Sequence, residues 1–225
     1  MNLNAPRDSM QYSRHKVGIL GGTFDPVHWG HLLIAEAAVS QANLKQVIWV
    51  PTRYPHYKNA TAFEHRWQMV QMAIADNPAF KIAPATVNCT EKSYAIQTLI
   101  DLKTLHPNTQ WSWIVGLDAF ETLPRWYRHQ ELVAECQWLV APRLPATLKL
   151  EQSKAIATHS QLLCEQIVQK LESQGLSIDW QILHLPYVGI SSSLIRALCR
   201  DRLSIRYLVP EAVRLYIKKH KLYSR

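Results

Sequence analysis

A chain of 225 residues with 48% hydrophobic and 19% charged residues has the balance of a folded globular protein, which excludes a disordered one. The formal net charge of +8 favours anionic partners such as nucleotides, but no basic block exceeds the mixed segment Arg214 to Lys221, so neither nucleic-acid binding nor a membrane role is expected. Residues 1–15 carry no apolar leader core and Cys89, Cys136, Cys164 and Cys199 form no CxxC pair, which predicts a cytoplasmic protein with free thiols and no zinc site.

The length suits one domain, read as residues 16–225 after a loose extension over 1–15. Val17 to Leu20 is an apolar run stopped by Gly21-Gly22 and reads as a buried strand. Leu32 to Val39 reads as a helix, and Val47 to Val50 as a strand stopped by Pro51. Phe63 to Ala75 has helical spacing, Phe80 to Ile82 is a weaker strand, and Tyr94 to Leu105 is a helix. Trp111 to Val115 is a strand, Gln130 to Glu135 a helix, and Gln137 to Ala141 a strand ended by Pro142. Lys149 to Glu172 is helical up to the stop at Gly175, and Trp180 to Leu185 is a strand. Ser192 to Leu198 and Pro210 to Lys219 are helices, the latter with Pro210 at the first helical position. Strand–helix alternation predicts an α/β fold, a Rossmann-like doubly wound parallel sheet in a single domain with a C-terminal helical part. Ligands of such sheets bind beyond the carboxyl ends of the strands.

The first strand ends in Gly21-Gly22-Thr23-Phe24-Asp25-Pro26-Val27-His28-Trp29-Gly30-His31. Glycines let a ligand approach the backbone, and a following helix N-terminus offers amides and a positive dipole end to phosphate. His28 and His31 are three apart and can share one side of a helix or turn. Gly30 leaves room between them, and Thr23 adds a hydroxyl. Each feature alone has a plainer reading: a turn, a structural histidine, or half of a metal site. This segment resembles the signature of the nucleotidyltransferase superfamily marked by His-x-Gly-His, whose histidines contact ATP phosphates.

Ile190 to Arg196 reads Ile-Ser-Ser-Ser-Leu-Ile-Arg. Capping explains one serine of three. A cation placed in the first turn of a helix opposes the dipole, a penalty that a bound triphosphate would reverse. The segment resembles the superfamily's second signature, with Ser193 where Thr is frequent.

The middle of the chain narrows the resemblance. Pro51 to Lys58, Ser93-Tyr94-Ala95, Gly116 to Phe120, Leu123 to Tyr127, Tyr207 to Pro210 and Tyr216-Ile217 together resemble the bacterial nicotinate mononucleotide adenylyltransferases. The resemblance implies His28, His31 and Arg196 as catalytic residues. It implies ATP contacts from these three and from Gly21, Gly22, Thr23, Phe24, Gly116, Asp118, Ile190, Ser192 and Ser193. His56, Lys58, Tyr94, Ala95, Asp118, Trp126 and Tyr127 would hold the mononucleotide, with Trp126 stacking on the pyridine ring. Lys92 stands where the family often has Pro, Ala95 where Thr is common, and Arg202-Leu203 where Gly is common.

The implied reaction transfers AMP from ATP to nicotinate mononucleotide, giving nicotinate adenine dinucleotide and pyrophosphate. The nucleophile is a phosphate already ionised at neutral pH, so catalysis needs positioning and charge neutralisation rather than a general base. Mg²⁺ would arrive with ATP. The rival readings are an enzyme for nicotinamide mononucleotide or for both substrates, pantetheine-phosphate adenylyltransferase, a silent nucleotide sensor and a tRNA-binding module.

Overall fold

The computed structural model describes residues 15–55, 60–87, 89, 92–142, 153–186 and 188–224, with backbone alone for 153–156. The strands are β1 (His15–Gly22), β2 (Gln46–Pro51), β3 (Phe80–Ile82), β4 (Thr109–Gly116), β5 (Cys136–Ala141) and β6 (Trp180–Ile182). All pairings are parallel, in the order β3-β2-β1-β4-β5-β6. The helices are α1 (Trp29–Ala42), α2 (Phe63–Ala73), α3 (Ala95–Leu105), α4 (Leu117–Thr122), α5 (His129–Glu135), α6 (Ser153–Glu172), α7 (Ser192–Arg200) and α8 (Glu211–Lys219).

Side chains on a strand alternate between faces, and here both faces are apolar, as a parallel sheet covered on both sides requires. Val17, Ile19, Ile48, Trp113 and Trp138 pack with Leu99 of α3, Phe120 of α4, Leu132 of α5 and Leu171 of α6. Leu20, Val47, Trp49, Ile114 and Leu139 pack with Ala35 of α1, Met69 of α2, Ile195 of α7 and Val213 of α8. The expected C-terminal helical part is thus one side of the same sandwich: α7 and α8 complete the layer begun by α1 and α2. Burial pushes the Cys136 and Cys164 thiols up to about 12, so both are poor nucleophiles.

Several expected boundaries move. His15, expected in the extension, begins β1 and pairs with Thr109, so the domain starts at least one residue earlier. Residues 1–14 lie outside the described residues, as do residues 149–152 of the helix expected from Lys149. Pro51 is the last residue of β2, opposite Gly22: the pairing with β3 has already ended at Trp49, and the amide that bonds to the Gly22 carbonyl is that of Thr52, so the missing N–H of Pro51 costs nothing. The last strand stops at Ile182, three residues short of Leu185. Pro210 is the N-cap of α8, with φ −54 and ψ 147, not its first helical residue. Helix α4 and the 3₁₀ turn Leu123–Arg125 were not anticipated, because six residues are too few to show a helical period.

The chain runs from β1 toward β2 and β3 on one side, and from β4 toward β5 and β6 on the other. The crevice between these two halves opens at the carboxyl ends of β1 and β4, where Gly22 and Gly116 lie.

Candidate active site

A cleft of about 1570 Å³ occupies that crevice. A site for one small ligand measures roughly 300–1,000 Å³, so this one has room for two nucleotides. Gly21, Gly22, Thr23, His28 and His31 line it from the first motif. Ile190, Ser192, Ser193 and Arg196 line it from the second, and Gly116 and Asp118 from the end of β4. Tyr94, Ala95, Trp126 and Tyr127 line it beyond them. Phe24 does not: its side chain is 2% exposed and buried behind the cleft, which corrects its expected contact with ATP. With φ 51, its backbone turns the ring inward, edge-on to His31 with centroids 5.0 Å apart and beside Trp49 at 5.3 Å. His56 and Lys58 fall outside the described residues.

The two histidines form one unit at the start of α1. His28 is the N-cap and His31 the third helical residue. Their rings stack with centroids 3.7 Å apart and planes 30° from parallel. The His28 amide donates to His31 Nδ1 at 3.2 Å. A neutral His31 therefore carries its proton on Nε2, and that nitrogen is a hydrogen-bond donor. Burial, and secondly the His28 ring, lower the His31 pKa well below the ordinary histidine value. The space at Gly30 is taken by His28 itself: a Cβ there would lie 3.0 Å from two atoms of the His28 ring. The glycine thus admits the histidine ring, and it also lines the cleft, where a phosphate was expected to approach.

In the second motif the three serines divide their work. Ser191 caps α7, its hydroxyl accepting from the Leu194 amide at 3.1 Å. Ser192 donates to the Pro26 carbonyl at 2.9 Å, and Ser193 accepts from Arg196 Nη2 at 3.3 Å. Arg196 is the fifth residue of α7, so it lies in the second turn and not in the first as expected. The dipole argument for it weakens accordingly, since that effect fades after one turn. Its Nη1 donates to the Asp25 carbonyl at 2.7 Å. Ser192 and Arg196 thereby tie the second motif to the first.

At the other end, Tyr94 is the N-cap of α3 rather than its first residue, and the Thr98 amide makes the helix's first bond, to the Tyr94 carbonyl. The amides of Ala95, Ile96 and Gln97 precede that bond and belong to the open first turn. Trp126 is held from behind: its Nε1 donates to Thr122 Oγ1 at 2.9 Å, and its ring meets Trp113 and Trp138 edge-on. Tyr127 is 56% exposed and lies against Tyr94, ring centroids 4.4 Å apart. Asp118 is the second residue of α4, whose N-cap is Gly116, so Asp118 is not the cap itself.

Two buried charges behind the cleft escaped the sequence reading. Arg66, 1% exposed on α2, donates to the carbonyls of Thr61 at 2.7 Å and Thr23 at 2.8 Å. Asp25, also 1% exposed, accepts from the Tyr223 hydroxyl at 2.7 Å. An isolated arginine in a helical pattern reads as solvent-facing, and its carbonyl partners come from distant segments. The cleft wall also includes Arg125, quoted in sequence without a role.

Among the described residues, no helix is long and apolar enough to cross a membrane, and no three His, Cys, Asp or Glu side chains gather to hold a metal ion.

Residues 19–198 match the cytidylyltransferase-like family. The chain is 56% identical, over 92% of its length and 97% of the relative's, to the "probable nicotinate-nucleotide adenylyltransferase" of Trichormus variabilis. It is 37% identical to a Dehalococcoides mccartyi protein of the same name, over 93% and 98% of the two chains. Its fold matches a Plasmodium falciparum nicotinic acid mononucleotide adenylyltransferase complexed with NaAD, with a TM-score of 0.71, 21% identity, and 93% and 97% of the two chains covered. The chain belongs to the cytidylyltransferase-like family and, within it, to the nicotinate-nucleotide adenylyltransferases.

Proposed function

We propose that the chain transfers AMP from ATP to nicotinate mononucleotide, releasing pyrophosphate and forming nicotinate adenine dinucleotide. The observation that carries this reading is the joining of two phosphate-suited helix starts, α1 and α7, across one cleft that ends in an aromatic pocket. An oxygen of the mononucleotide phosphate attacks the α-phosphorus of ATP, the bond from that phosphorus to the β-bridging oxygen breaks, and pyrophosphate leaves. The attacking phosphate has a second pKa near ~6 and arrives largely ionised. His31 Nε2–H, the amides of Gly30, Ser192 and Ser193 at the starts of α1 and α7, and Arg196 stabilise the charge on the triphosphate. Trp126, Tyr94 and Tyr127 receive the pyridine ring, and Asp118 takes ribose hydroxyls.

Asp118 is the only carboxylate among the described residues lining the cleft. The donor set thus suits a Mg²⁺ ion that comes with ATP and keeps phosphate and water oxygens as its ligands. The ion would offset triphosphate charge. ATP use and four free cysteines fit work in the reducing, ATP-rich cytoplasm.

The test is pyrophosphate release from ATP and Mg²⁺ with nicotinate mononucleotide, nicotinamide mononucleotide or pantetheine phosphate supplied separately. Release with the first, well above the others, is expected. Release only with pantetheine phosphate, or with none, would overturn the reading.

A further inference from the structure

Among the described residues lining the cleft, the lysine and arginine side chains are those of Lys92, Arg125 and Arg196. Arg196 is tied to the first motif, at the end of the cleft assigned to ATP. Arg125 stands directly before Trp126, at the end that receives the pyridine ring. No hydrogen bond, ion pair or ring contact among the described residues engages its guanidinium, although Glu121 lies only four residues earlier. Its neighbour Arg128 is different: that guanidinium is paired with Glu131 at 2.6 Å.

The backbone that carries Arg125 is fixed. Arg125 ends the 3₁₀ turn Leu123–Arg125, which is anchored by the buried Leu123 side chain and closed by the Trp126 amide on the Leu123 carbonyl at 3.0 Å. The rings of Tyr94 and Tyr127 meet at 4.4 Å, which brings the start of α3 against the same segment. Arg125 and the first-turn amides of α3 therefore frame one end of the cleft. The two rival mononucleotides differ in charge at this end. Both carry a positive pyridine ring, but in the nicotinate form a carboxylate beside the ring cancels that charge, and in the nicotinamide form nothing does. A guanidinium offers a carboxylate a planar pair of N–H donors. It repels a ring cation that has no such compensation. The mononucleotide phosphate must instead reach the α-phosphate of ATP, near the starts of α1 and α7 and away from Trp126.

We propose that Arg125 is a specificity-determining residue: its guanidinium binds the pyridine carboxylate of nicotinate mononucleotide and repels the uncompensated ring of nicotinamide mononucleotide, adding to the selection made by the α3 amides, where Ala95 brings no hydroxyl. This rests on the reading of the cleft as a pyridine mononucleotide site. Two plainer roles behave differently. An arginine that met the mononucleotide phosphate would serve both substrates alike, and a merely solvated arginine would serve neither.

The experiment is steady-state kinetics of the full chain at saturating Mg-ATP, with each mononucleotide varied separately, for wild type, Arg125→Ala and Arg125→Lys, each checked by thermal melting. Arg125→Ala is expected to lower kcat/KM for nicotinate mononucleotide roughly tenfold, mainly through KM, and to leave nicotinamide mononucleotide within about twofold or better than wild type. Arg125→Lys keeps the charge without the planar fork and should fall between the two. Added salt should narrow the acid preference of wild type more than that of Arg125→Ala, because the pair is solvent-exposed. An equal loss for both mononucleotides, an unchanged ratio between them, or a loss confined to the amide would overturn the proposal. Should Arg125→Ala not fold, the ratio in Arg125→Gln decides by the same criteria. Wild type that turns over neither mononucleotide would instead remove the underlying reading of the cleft, and this inference with it.

Discussion

The His28 amide donates to Nδ1 of His31, and the two rings stack with centroids 3.7 Å apart. One nitrogen of His31 is thereby committed to the backbone, and the other is fixed as a donor. The pair is a preorganised device rather than two mobile side chains, since its orientation is set before any ligand arrives. Phe24 supports it from behind, edge-on to the His31 ring.

His31→Ala should therefore cut turnover by ~10² or more, the usual cost of one preorganised donor. The fold should survive, because α1 keeps its buried face of Leu32, Ala35 and Ala38. Steady-state kinetics beside a thermal melt checks this. Full turnover in a folded variant would take His31 out of the reaction.

The same burial makes His31 a pH-dependent element of stability. Its pKa is lowered in the folded protein, while in the unfolded chain it returns to about 6.5. Above 6.5 the ring is neutral in both states and its contribution is fully present. As pH falls below 6.5 the unfolded chain takes up a proton that the folded ring refuses. Stability is then lost at up to about 1.4 kcal/mol per pH unit, until the folded pKa is reached. Melting in ligand-free buffer between pH 7.5 and 5 should show a shallower decline for His31→Gln than for wild type. Parallel curves would mean that His31 titrates normally.

Much of the architecture was legible because a parallel sheet writes itself locally. Runs such as Val47 to Val50 are apolar on both faces, and glycine or proline ends them. The cleft residues were legible where they are close in sequence, as with His28 and His31 or Ser192, Ser193 and Arg196. What stayed hidden depends on contacts between distant segments or on backbone turns. Arg66 is buried because the carbonyls of Thr23 and Thr61 receive it, and no helical period announces that. Phe24 sits behind the cleft because of its positive φ, which the motif does not reveal. Gly30 was read as room for a phosphate, and it does line the cleft, but the second reason for a glycine there, the His28 ring standing where a Cβ would go, was not legible.

Gly116 offers a second geometric test. A Cβ at this position would lie 2.7 Å from Asp118 Oδ1, so the carboxylate must move. Its φ of −72 is ordinary for any residue, so backbone strain does not enter. Gly116→Ala should shift Tm by less than about 3 °C. It should nevertheless lower kcat/KM by roughly tenfold, about 1.4 kcal/mol, through the displaced Asp118. Unchanged kinetics in the folded variant would separate Asp118 from the substrates.

The choice between acid and amide turns on the start of α3. Ala95 lines the cleft, and the first-turn amides of α3 begin at this residue. A nicotinate carboxylate can accept from such amides and gains from the positive end of the helix dipole. A carboxamide would turn its own NH₂ donor toward them, or present a single oxygen. Mispaired buried polar groups can separate substrates by several orders of magnitude. Ala95 lacks the hydroxyl of a threonine, and Tyr127 is 56% exposed, so this pocket is not fully closed around the ring substituent. Partial solvation weakens each of these terms and argues for a moderate preference. Nicotinate mononucleotide should exceed nicotinamide mononucleotide in kcat/KM by at least ~10-fold, equivalent to about 1.4 kcal/mol. Ala95→Thr should widen the gap or leave it unchanged, since an added hydroxyl can donate to the acid. Parallel kinetics with the two mononucleotides measures both numbers. Equal efficiency, or preference for the amide, would reverse the assignment of the acid while leaving AMP transfer in place.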